Sequence, residues 1–448
     1  MLTHLQVLWR RRKLEKSCRW TETRLRSEQQ RRTAELRRFV AANSPFYGRF
    51  HRGRENRPLE ELPILTKTIL MENFDDLVTD RALRLCDVEA FLHSDDGSGL
   101  FQSRYVALST SGSTGQRGVF VYDSREWIEN LASISRPMVW AGVRPNPLRR
   151  MRSTMLASTM PWHYSSRVAR SLATKLFPTL RLDATEPLDR MVQRLNDWQP
   201  EVLVGYPSVL RQLAEEQVAG RLRIAPKHCA TSAELLTAET RRRVKEAWGI
   251  RMFDTYGATE YAPIAAECPA GNRHLFEDGA VIEITDDKGK PVPPGELGDR
   301  VLLTIFSRRT QPLIRYEISD MLRVAEGSCS CGRPFRFLAE IEGRQEDVLH
   351  FPAHESHLRL IAIHPNAFHG LLENVPASGW QVIQESGWIT VNLAGLRNPN
   401  VCDGILTSIR ALLQAEGVAV PPIRVVPVSE LRRGKTGKAP LVMAASAK

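Results

Sequence analysis

The chain is 448 residues long, 42% hydrophobic and 25% charged, with a formal net charge of +11 at neutral pH. This length exceeds one ordinary hydrophobic core and predicts two or three domains. No run of eighteen apolar residues occurs, and the apolar stretch near the N-terminus is shorter than a secretory signal, so we expect neither a transmembrane segment nor a leader.

The positive charge is concentrated at the N-terminus. Residues 1–54 contain fifteen Lys or Arg and four Glu, which accounts for the whole net charge, and residues 4–40 have a helix-like composition that ends at Asn43-Ser44-Pro45. A basic helical arm, taken as residues 1–45, can bind nucleic acid or an anionic membrane, or it can lie along the body with a solvated face. The second interpretation is preferred, and nucleic acid is not an expected partner.

A loop of hydroxyls and glycines follows at residues 109–118, between the apolar runs 105–108 and 119–122. Glycines let the backbone approach an anion, while N–H and hydroxyl groups donate to phosphate oxygens. The β-branched and aromatic exit segment predicts a connection between two strands, not the strand-to-helix turn of a P-loop. A flexible linker has a similar composition, but linkers are seldom held between two strand-like runs. The predicted phosphate-binding residues are Ser111, Gly112, Ser113, Thr114 and Gly115.

Helical and strand patterns alternate after this loop. Residues 188–198, 208–218 and 237–248 are helix-like, and residues 201–205 form a short apolar strand. This alternation predicts an α/β body with a largely parallel sheet. From about residue 280 the pattern changes to antiparallel β structure, and beyond residue 343 a smaller α+β unit of about a hundred residues follows.

Three more segments carry residues suited to nucleotide chemistry. In the segment 254–260, Tyr256 can stack on a purine and Glu260 can bind Mg²⁺. Asp320 can accept two hydrogen bonds from a ribose diol, and Lys438, between glycines near the C-terminus, can neutralise charge on a phosphate. Each signal alone is weak, since aromatic residues beside glycine usually pack and tail lysines are usually solvated.

In this order and spacing, the segments resemble the adenylate-forming superfamily, and most closely its phenylacetate–CoA ligase and coenzyme F390 synthetase group. The resemblance implies a large domain over residues 46–343, a hinge at 344–347 and a small mobile domain over 348–448. It also implies ATP and Mg²⁺ as cofactors. The implied catalytic residues are Lys438, Glu260 as the Mg²⁺ ligand and Thr259 at the α-phosphate; the implied nucleotide-binding residues beyond the glycine-rich loop are Ser232, Ala233, Glu234, Asp254, Thr255, Tyr256, Gly257, Asp320 and Arg344.

The resemblance implies an AMP-forming ligase that activates a small aryl or acyl carboxylic acid and transfers it, by default, to CoA. Two departures bear on this. First, the glycine-rich loop lacks the proline and lysine that are usual in the family, and Arg117 supplies the positive charge of the missing lysine. Second, residues 350–355 stand where relatives have a glycine-rich stretch that helps to guide CoA. An amine acceptor, or nitrite activation for diazotisation of an aryl amine, is therefore an alternative. An inactive nucleotide-binding protein that acts through the arm is a third.

Two further sets of residues are candidates for an acid pocket and for a metal site. Trp162, His163, Tyr164 and Tyr206 are placed in the acid-binding pocket, although Trp162 and Tyr206 are equally well explained as core aromatics. Cys268, His274, Cys329 and Cys331 have the composition of a structural zinc site, with free buried cysteines as the alternative. Seven scattered cysteines argue against a disulfide framework and predict a reducing, cytoplasmic location.

Overall fold

The computed structural model of the protein describes residues 2–94, 99–110, 117–144, 149–356, 358–372, 375–396, 398–434 and 436–444. The helices in these ranges are α1 (Leu2–Ser17), α2 (Glu22–Asn43), α3 (Pro45–Phe50), α4 (Lys67–Glu72), α5 (Phe74–Leu77), α6 (Leu85–Ser94), α7 (Ser124–Trp140), α8 (Tyr164–Leu172), α9 (Leu188–Trp198), α10 (Pro207–Val218), α11 (Ala238–Trp248), α12 (Asn366–Leu372) and α13 (Cys402–Ala415).

The strands in the same ranges are β1 (Val106–Ser109), β2 (Val119–Tyr122), β3 (Ser153–Ala157), β4 (Thr179–Asp183), β5 (Val202–Gly205), β6 (His228–Ser232), β7 (Met252–Tyr256), β8 (Ala265–Glu267), β9 (Arg273–Leu275), β10 (Ala280–Thr285), β11 (Leu297–Gly298), β12 (Arg300–Ile305), β13 (Tyr316–Ile318), β14 (Asp320–Val324), β15 (Phe337–Arg344), β16 (Leu349–Pro352), β17 (Leu360–Ile363), β18 (Gly379–Glu385), β19 (Trp388–Ala394), β20 (Ile423–Val428) and β21 (Val442–Met443).

A ten-stranded mixed sheet forms the centre of the molecule, in the order β11-β14-β15-β9-β8-β7-β6-β5-β3-β4. The half from β4 to β7 is parallel, as the helix–strand alternation predicts, and the half from β7 to β11 is antiparallel. Leu195 on α9, Leu210 on α10 and Val244 on α11 are fully buried in the core beside the parallel half. The carboxyl ends of β6 and β7 therefore meet at one edge, where ligands bind in such sheets.

Two smaller antiparallel units flank this sheet. Strands β1 and β2 form a hairpin whose tip is the glycine-rich loop, which confirms the predicted strand-to-strand connection. Strands β10, β12 and β13 form a second sheet, in which β10 pairs with β12 over six residues. The antiparallel β structure predicted from about residue 280 is therefore confirmed.

The C-terminal part has its own core. Strands β18 to β21 form a four-stranded sheet covered by α13, whose apolar side chains Ile405, Ile409 and Leu413 lie on one face at helical spacing. Strands β16 and β17 form a separate hairpin ahead of it.

The predicted N-terminal helix is divided into two. Thr21 accepts a hydrogen bond from the Arg24 backbone N–H and caps α2, so the chain turns between α1 and α2. The arm lies on the body, because Val7 and Leu14 are buried and Arg10 forms an ion pair with Glu129. The outward face of α1 carries both exposed basic and exposed apolar side chains: Arg12, Lys13, Lys16, Leu5, Leu8 and Trp9. Among the described residues, no helix is both long and apolar enough to cross a bilayer.

Candidate active site

The base of the glycine-rich loop is closed by two hydrogen bonds. The Thr110 backbone N–H donates to the Gly118 carbonyl at 2.9 Å, and the Gly118 N–H donates to Thr110 Oγ1 at 2.8 Å. Gln311 supports the exit strand, accepting from the Val121 N–H at 3.0 Å and donating to the Val119 carbonyl at 2.9 Å. The base of the loop is therefore closed, and the exit strand β2 is fixed against the body. The predicted phosphate ligands Ser111, Gly112, Ser113, Thr114 and Gly115 lie outside the described residues.

Tyr256, Asp320 and Arg344 meet beside the end of β7. The Tyr256 hydroxyl donates to Asp320 Oδ2 at 2.6 Å, and Arg344 Nε lies 3.4 Å from Asp320 Oδ1. Burial, reinforced by Asp320, raises the pKa of Tyr256, so the phenol remains a neutral donor. The structure thus brings together the residues predicted for adenine stacking and for ribose, although they are 64 positions apart in the chain.

Glu260 and Thr259 are held by tyrosines from two other elements. The Tyr122 hydroxyl donates to the Thr259 carbonyl at 2.8 Å, and the Tyr316 hydroxyl donates to Glu260 Oε1 at 3.0 Å. Glu260 is buried, and one of its oxygens is engaged by Tyr316. A carboxylate oriented in this way suits Mg²⁺, which takes hard oxygen ligands next to phosphates.

The set of residues predicted around adenine is divided. Ser232 ends β6 opposite Thr255 on β7, at the edge where Tyr256 lies. Asp254, however, is engaged below that edge, where it accepts from Arg273 Nε at 2.7 Å. Gly257 packs against the backbone of Ala262, where an added Cβ would approach Ala262 Cα to 3.3 Å.

Glu234 has protein partners that the sequence did not predict. Ala233 before it adopts a left-handed conformation (φ 72°) and turns the chain. The Glu234 carboxylate then accepts from the Ser208 N–H at 3.0 Å, the Ser208 hydroxyl at 3.1 Å and the Ala439 N–H at 2.8 Å. Burial raises its pKa against the lowering effect of these donors. Its role at adenine stays a prediction, whereas its contact with the C-terminal loop is observed.

Lys438 reaches the same region from the C-terminal segment. Its Nζ lies 6.0 Å from the Tyr206 ring centroid. Burial, together with the charge of Arg344, lowers the Lys438 pKa to about 8, while Glu234 and Asp320 act in the opposite direction. An amine among these groups is charged in a large fraction of molecules near neutrality and can move a proton without a large cost.

The four residues assigned to the acid pocket lie in different environments. His163 and Tyr206 are nearest to Lys438; burial, with the Lys438 charge, lowers the His163 pKa to about 3, so the imidazole is neutral. Trp162 instead lies under the Arg117 guanidinium, 5.3 Å from its ring centroid, beside the glycine-rich loop. Tyr164 donates to Asn130 Oδ1 at 3.1 Å. His163 and Tyr206 therefore lie near the lysine, and Trp162 lies next to Arg117 at the base of the glycine-rich loop.

The predicted cysteine–histidine set converges. The ligand atoms of Cys268, His274, Cys329 and Cys331 all lie within 4.8 Å of one another, and the Cys268–Cys329 Sγ separation is 3.8 Å. That separation equals the edge of a tetrahedron with zinc–sulfur distances of about 2.3 Å. His274 Nδ1 lies 2.8 Å from the Phe335 carbonyl, which favours a proton on Nδ1 and leaves Nε2 as the ligand atom. The donor set and its geometry fit a closed zinc site.

Several residues that organise the site were not found from the sequence. Arg433 donates to Ser208 Oγ at 3.2 Å, to the Gly437 carbonyl at 2.8 Å and to Gln212 Oε1 at 3.0 Å. The basic segment before Lys438 was visible in the sequence, but its partners on α10 lie more than 200 positions away. Tyr122 and Tyr316 had no signal beyond their position in apolar strands.

Known enzymes are similar to this chain in sequence. Residues 103–302 match the family profile of the AMP-binding enzymes. The chain is 25% identical over 350 residues to a phenylacetate–coenzyme A ligase of Thermus thermophilus, covering 73% of this chain and 72% of the relative. It is 21% identical over 297 residues to a fumarate–(S)-2,3-diaminopropanoate ligase of Enterobacter agglomerans, covering 63% of this chain and 66% of the relative.

Its fold is similar to that of a 2-hydroxyisobutyryl-CoA ligase crystallised in the postadenylation state, with a TM-score of 0.69, 19% identity and coverage of 92% of this chain and 88% of the other. Against the same ligase in its thioesterification state the TM-score is 0.58, with 17% identity and coverage of 96% and 91%.

Proposed function

We propose, from the premise that this chain belongs to the adenylate-forming superfamily and to its phenylacetate–CoA ligase-like group, that it activates a small carboxylic acid with ATP. The protein is an AMP-forming ligase of the acid–CoA ligase type. In the proposed first step, a carboxylate oxygen of the acid attacks the α-phosphorus of ATP, the bond to the β-phosphate oxygen breaks, and pyrophosphate leaves. The products are an acyl-adenylate and pyrophosphate, with no redox change.

One observation carries the proposal. Lys438, ten residues from the C-terminus, lies within electrostatic reach of Asp320, Arg344 and Glu234, which come from three other segments. A cation delivered to the residues that suit a ribose and a phosphate can stabilise charge as it develops on the α-phosphate. We assign Lys438 this role, Glu260 the Mg²⁺ ion, and Tyr256 with Asp320 the nucleoside.

CoA is the default acceptor in the second step, in which its thiol would attack the acyl carbonyl and release AMP. An amine acceptor is the second candidate, since residues 350–355, where relatives have a glycine-rich stretch, run through the β16 hairpin and its exit. The similarity to an amide-type ligase over most of the chain supports the same alternative.

The test is a pyrophosphate-release assay across aryl and aliphatic acids, nitrite and amines, with and without CoA. We expect release that depends on the acid and on ATP, with a thioester formed only when CoA is present. Release that needs an amine and gives an amide would favour the second candidate. Release with nitrite and no acid would favour the diazotising alternative. Absence of release with every acid would reject the proposal.

We also propose that the Cys268, His274, Cys329 and Cys331 cluster holds a zinc ion. Four protein ligands leave no open position, so the metal would stabilise the fold and take no part in the reaction. The ion would tie β8 and β9 to residues 327–332.

A further inference from the structure

The loop that carries Lys438 is seated between two segments of the large sheet. Gly437 has φ +78°, and an added Cβ would lie 2.6 Å from Ala184 Cβ at the end of β4. On the other side, the Ala439 N–H donates to Glu234 after β6. The Gly434 N–H donates to the Lys438 carbonyl at 2.9 Å, and the Gly437 N–H donates to the Gly434 carbonyl at 2.9 Å, which makes the loop a compact turn.

Glu234 is the centre of the contact between this loop and the body. Three donors converge on its two oxygens: two come from Ser208 at the start of α10, and the third comes from the residue after Lys438. Arg433 closes the cluster, because its guanidinium bonds Ser208, Gln212 and the Gly437 carbonyl together. A small cavity lined by Ser208, Glu234, Arg433 and Ala439 lies at this junction.

These contacts would be lost in part if the C-terminal segment moved relative to the body. The Glu234 carboxylate is partly buried, and each donor it loses leaves an oxygen without a hydrogen bond. Two of the three donors remain with Glu234 when the C-terminal segment moves, because they belong to α10. The third donor and the Arg433 contact belong to the C-terminal segment and would be broken.

We propose that Glu234, with Ser208 and Arg433, forms a latch that holds the Lys438 loop in the adenylation position. Glu234 is a positioning residue: it touches the backbone next to Lys438, and its loss acts on where the amine lies. The purpose of the latch rests on the proposed function. The contacts that form it do not depend on which acid or which acceptor the enzyme uses.

The test measures how accessible the Lys438 amine is in the nucleotide-free, full-length protein. Trace acetic anhydride labels each lysine in competition, and mass spectrometry gives the labelling rate of Lys438 with Lys227 and Lys245 as internal references. In Glu234→Gln the shape is kept and one charge-assisted acceptor is lost. We expect the Lys438 labelling rate to rise about tenfold, with the rates of the two reference lysines unchanged.

Two more variants make the result decisive. Ser208→Ala removes a single hydroxyl that bonds both Glu234 and Arg433, and should raise the Lys438 rate in the same direction by about threefold. Glu216→Gln, on the same helix and in an exposed ion pair with Arg221, is the matched control and should leave the Lys438 rate at the wild-type value. If Glu234→Gln unfolds the protein, the labelling rates of all lysines will rise together. In that case the Lys438 labelling rate of Ser208→Ala tests the latch. An unchanged Lys438 rate in the folded variants overturns the latch.

A second readout separates the latch from a role at adenine. With any acid that supports pyrophosphate release in the wild type, Glu234→Gln should lower kcat for adenylate formation and leave the second step from a preformed adenylate unchanged. A raised KM for ATP with normal Lys438 labelling would assign Glu234 to the nucleotide and reject the latch. The labelling needs neither ATP nor acid, so failure of the proposed function and failure of the latch give different results.

Discussion

The Lys438 amine lies among charged groups of both signs. Arg344 lies near enough to lower its pKa, and Glu234 and Asp320 oppose that effect. Asp320 is itself shared with Tyr256 and Arg344, so a single carboxylate connects the tyrosine at the end of β7 to the surroundings of the lysine. Substitution of Asp320 would therefore change both the proposed nucleotide binding and the pKa of Lys438. Substitution of Lys438 changes the lysine alone.

The first prediction concerns pH. Since the Lys438 pKa is about 8 and the charged amine is the form that stabilises a phosphate, kcat/KM for ATP in adenylate formation should fall as pH rises through about 8. Lys438→Arg keeps the charge at all these pH values, so its residual activity should lack that falling limb. The measurement is pyrophosphate release between about pH 6.5 and 9.5. The same falling limb in Lys438→Arg would assign the titration to another group.

The lowered pKa of Lys438 also makes the free energy of unfolding depend on pH. An unfolded chain has a lysine of ordinary pKa, 10.5, and so binds more protons than the folded chain between about pH 8 and 10.5. The free energy of unfolding of the wild type should therefore rise with pH in that window, relative to Lys438→Met. Parallel denaturant titrations of the two proteins at pH 7.5 and 9.5 measure this difference.

The second prediction concerns Gly437. An alanine there would have an unfavourable positive φ and a Cβ in contact with Ala184, so the loop would have to move. We expect Gly437→Ala to lower adenylate formation by about a hundredfold with little change in melting temperature, because a displacement of about 1 Å is enough to misplace a reacting group. Gly434→Ala is the matched control, since its nearest neighbouring atom is 3.9 Å away. Equal losses in both variants would contradict this explanation.

At the scale of elements, the sequence predicted the periodic segments well. The helices predicted at residues 188–198 and 237–248 match α9 and α11 to within one residue at each end, because their apolar spacing is regular. The composition of residues 4–40 did not reveal the turn between α1 and α2, because charged residues populate both helices and the turn alike.

Residue type and the family resemblance singled out Tyr256, Asp320 and Lys438 in three separate segments, and the structure places the three in one region. Their roles stay predictions. The contacts of Glu234 could not be found in this way, because they depend on the placement of α10 and of a loop 205 positions away. The left-handed Ala233 adds to this: no local signal predicts that conformation for an alanine.

The third prediction concerns the cysteine–histidine cluster, which connects β8 and β9 to the loop before β15. We expect about one zinc per chain in the purified protein by plasma mass spectrometry. Cys331→Ser should lose most of the metal and lower the free energy of unfolding by about 2 kcal/mol or more, a fall in melting temperature of roughly 4 °C or more. Cys86→Ser, at an exposed cysteine remote in sequence from the cluster, should keep both values. Metal-free wild-type protein of undiminished stability would reject the zinc assignment.

At the scale of the whole molecule, buried polar contacts join the N-terminal arm to the body. Ser17 donates to Asp278 at 2.5 Å, and Asp278 is paired with Arg136, whose Nη1 also donates to the Leu14 carbonyl at 3.2 Å. The Arg136 and Asp278 side chains are 0% and 1% exposed. Ser17 and the Leu14 carbonyl, both in the arm, supply hydrogen-bond partners to this buried pair, and loss of such partners destabilises a buried ion pair. The arm therefore completes the core that it covers.

The fourth prediction follows from this arrangement. Removal of residues 1–17 would expose the Arg136–Asp278 pair and the apolar surface that covers Val7 and Leu14, so the free energy of unfolding should fall by about 3 kcal/mol or more. Arg12→Ala with Lys16→Ala removes two outward charges without touching that contact, and should leave stability unchanged. Denaturant unfolding of the three proteins measures both effects. If the arm instead served a separate partner, its removal would leave stability and pyrophosphate release intact and abolish binding to DNA or to anionic vesicles. Because α1 contributes buried side chains and hydrogen bonds to the same core as α7, we expect the first result: the arm acts as part of the enzyme's fold.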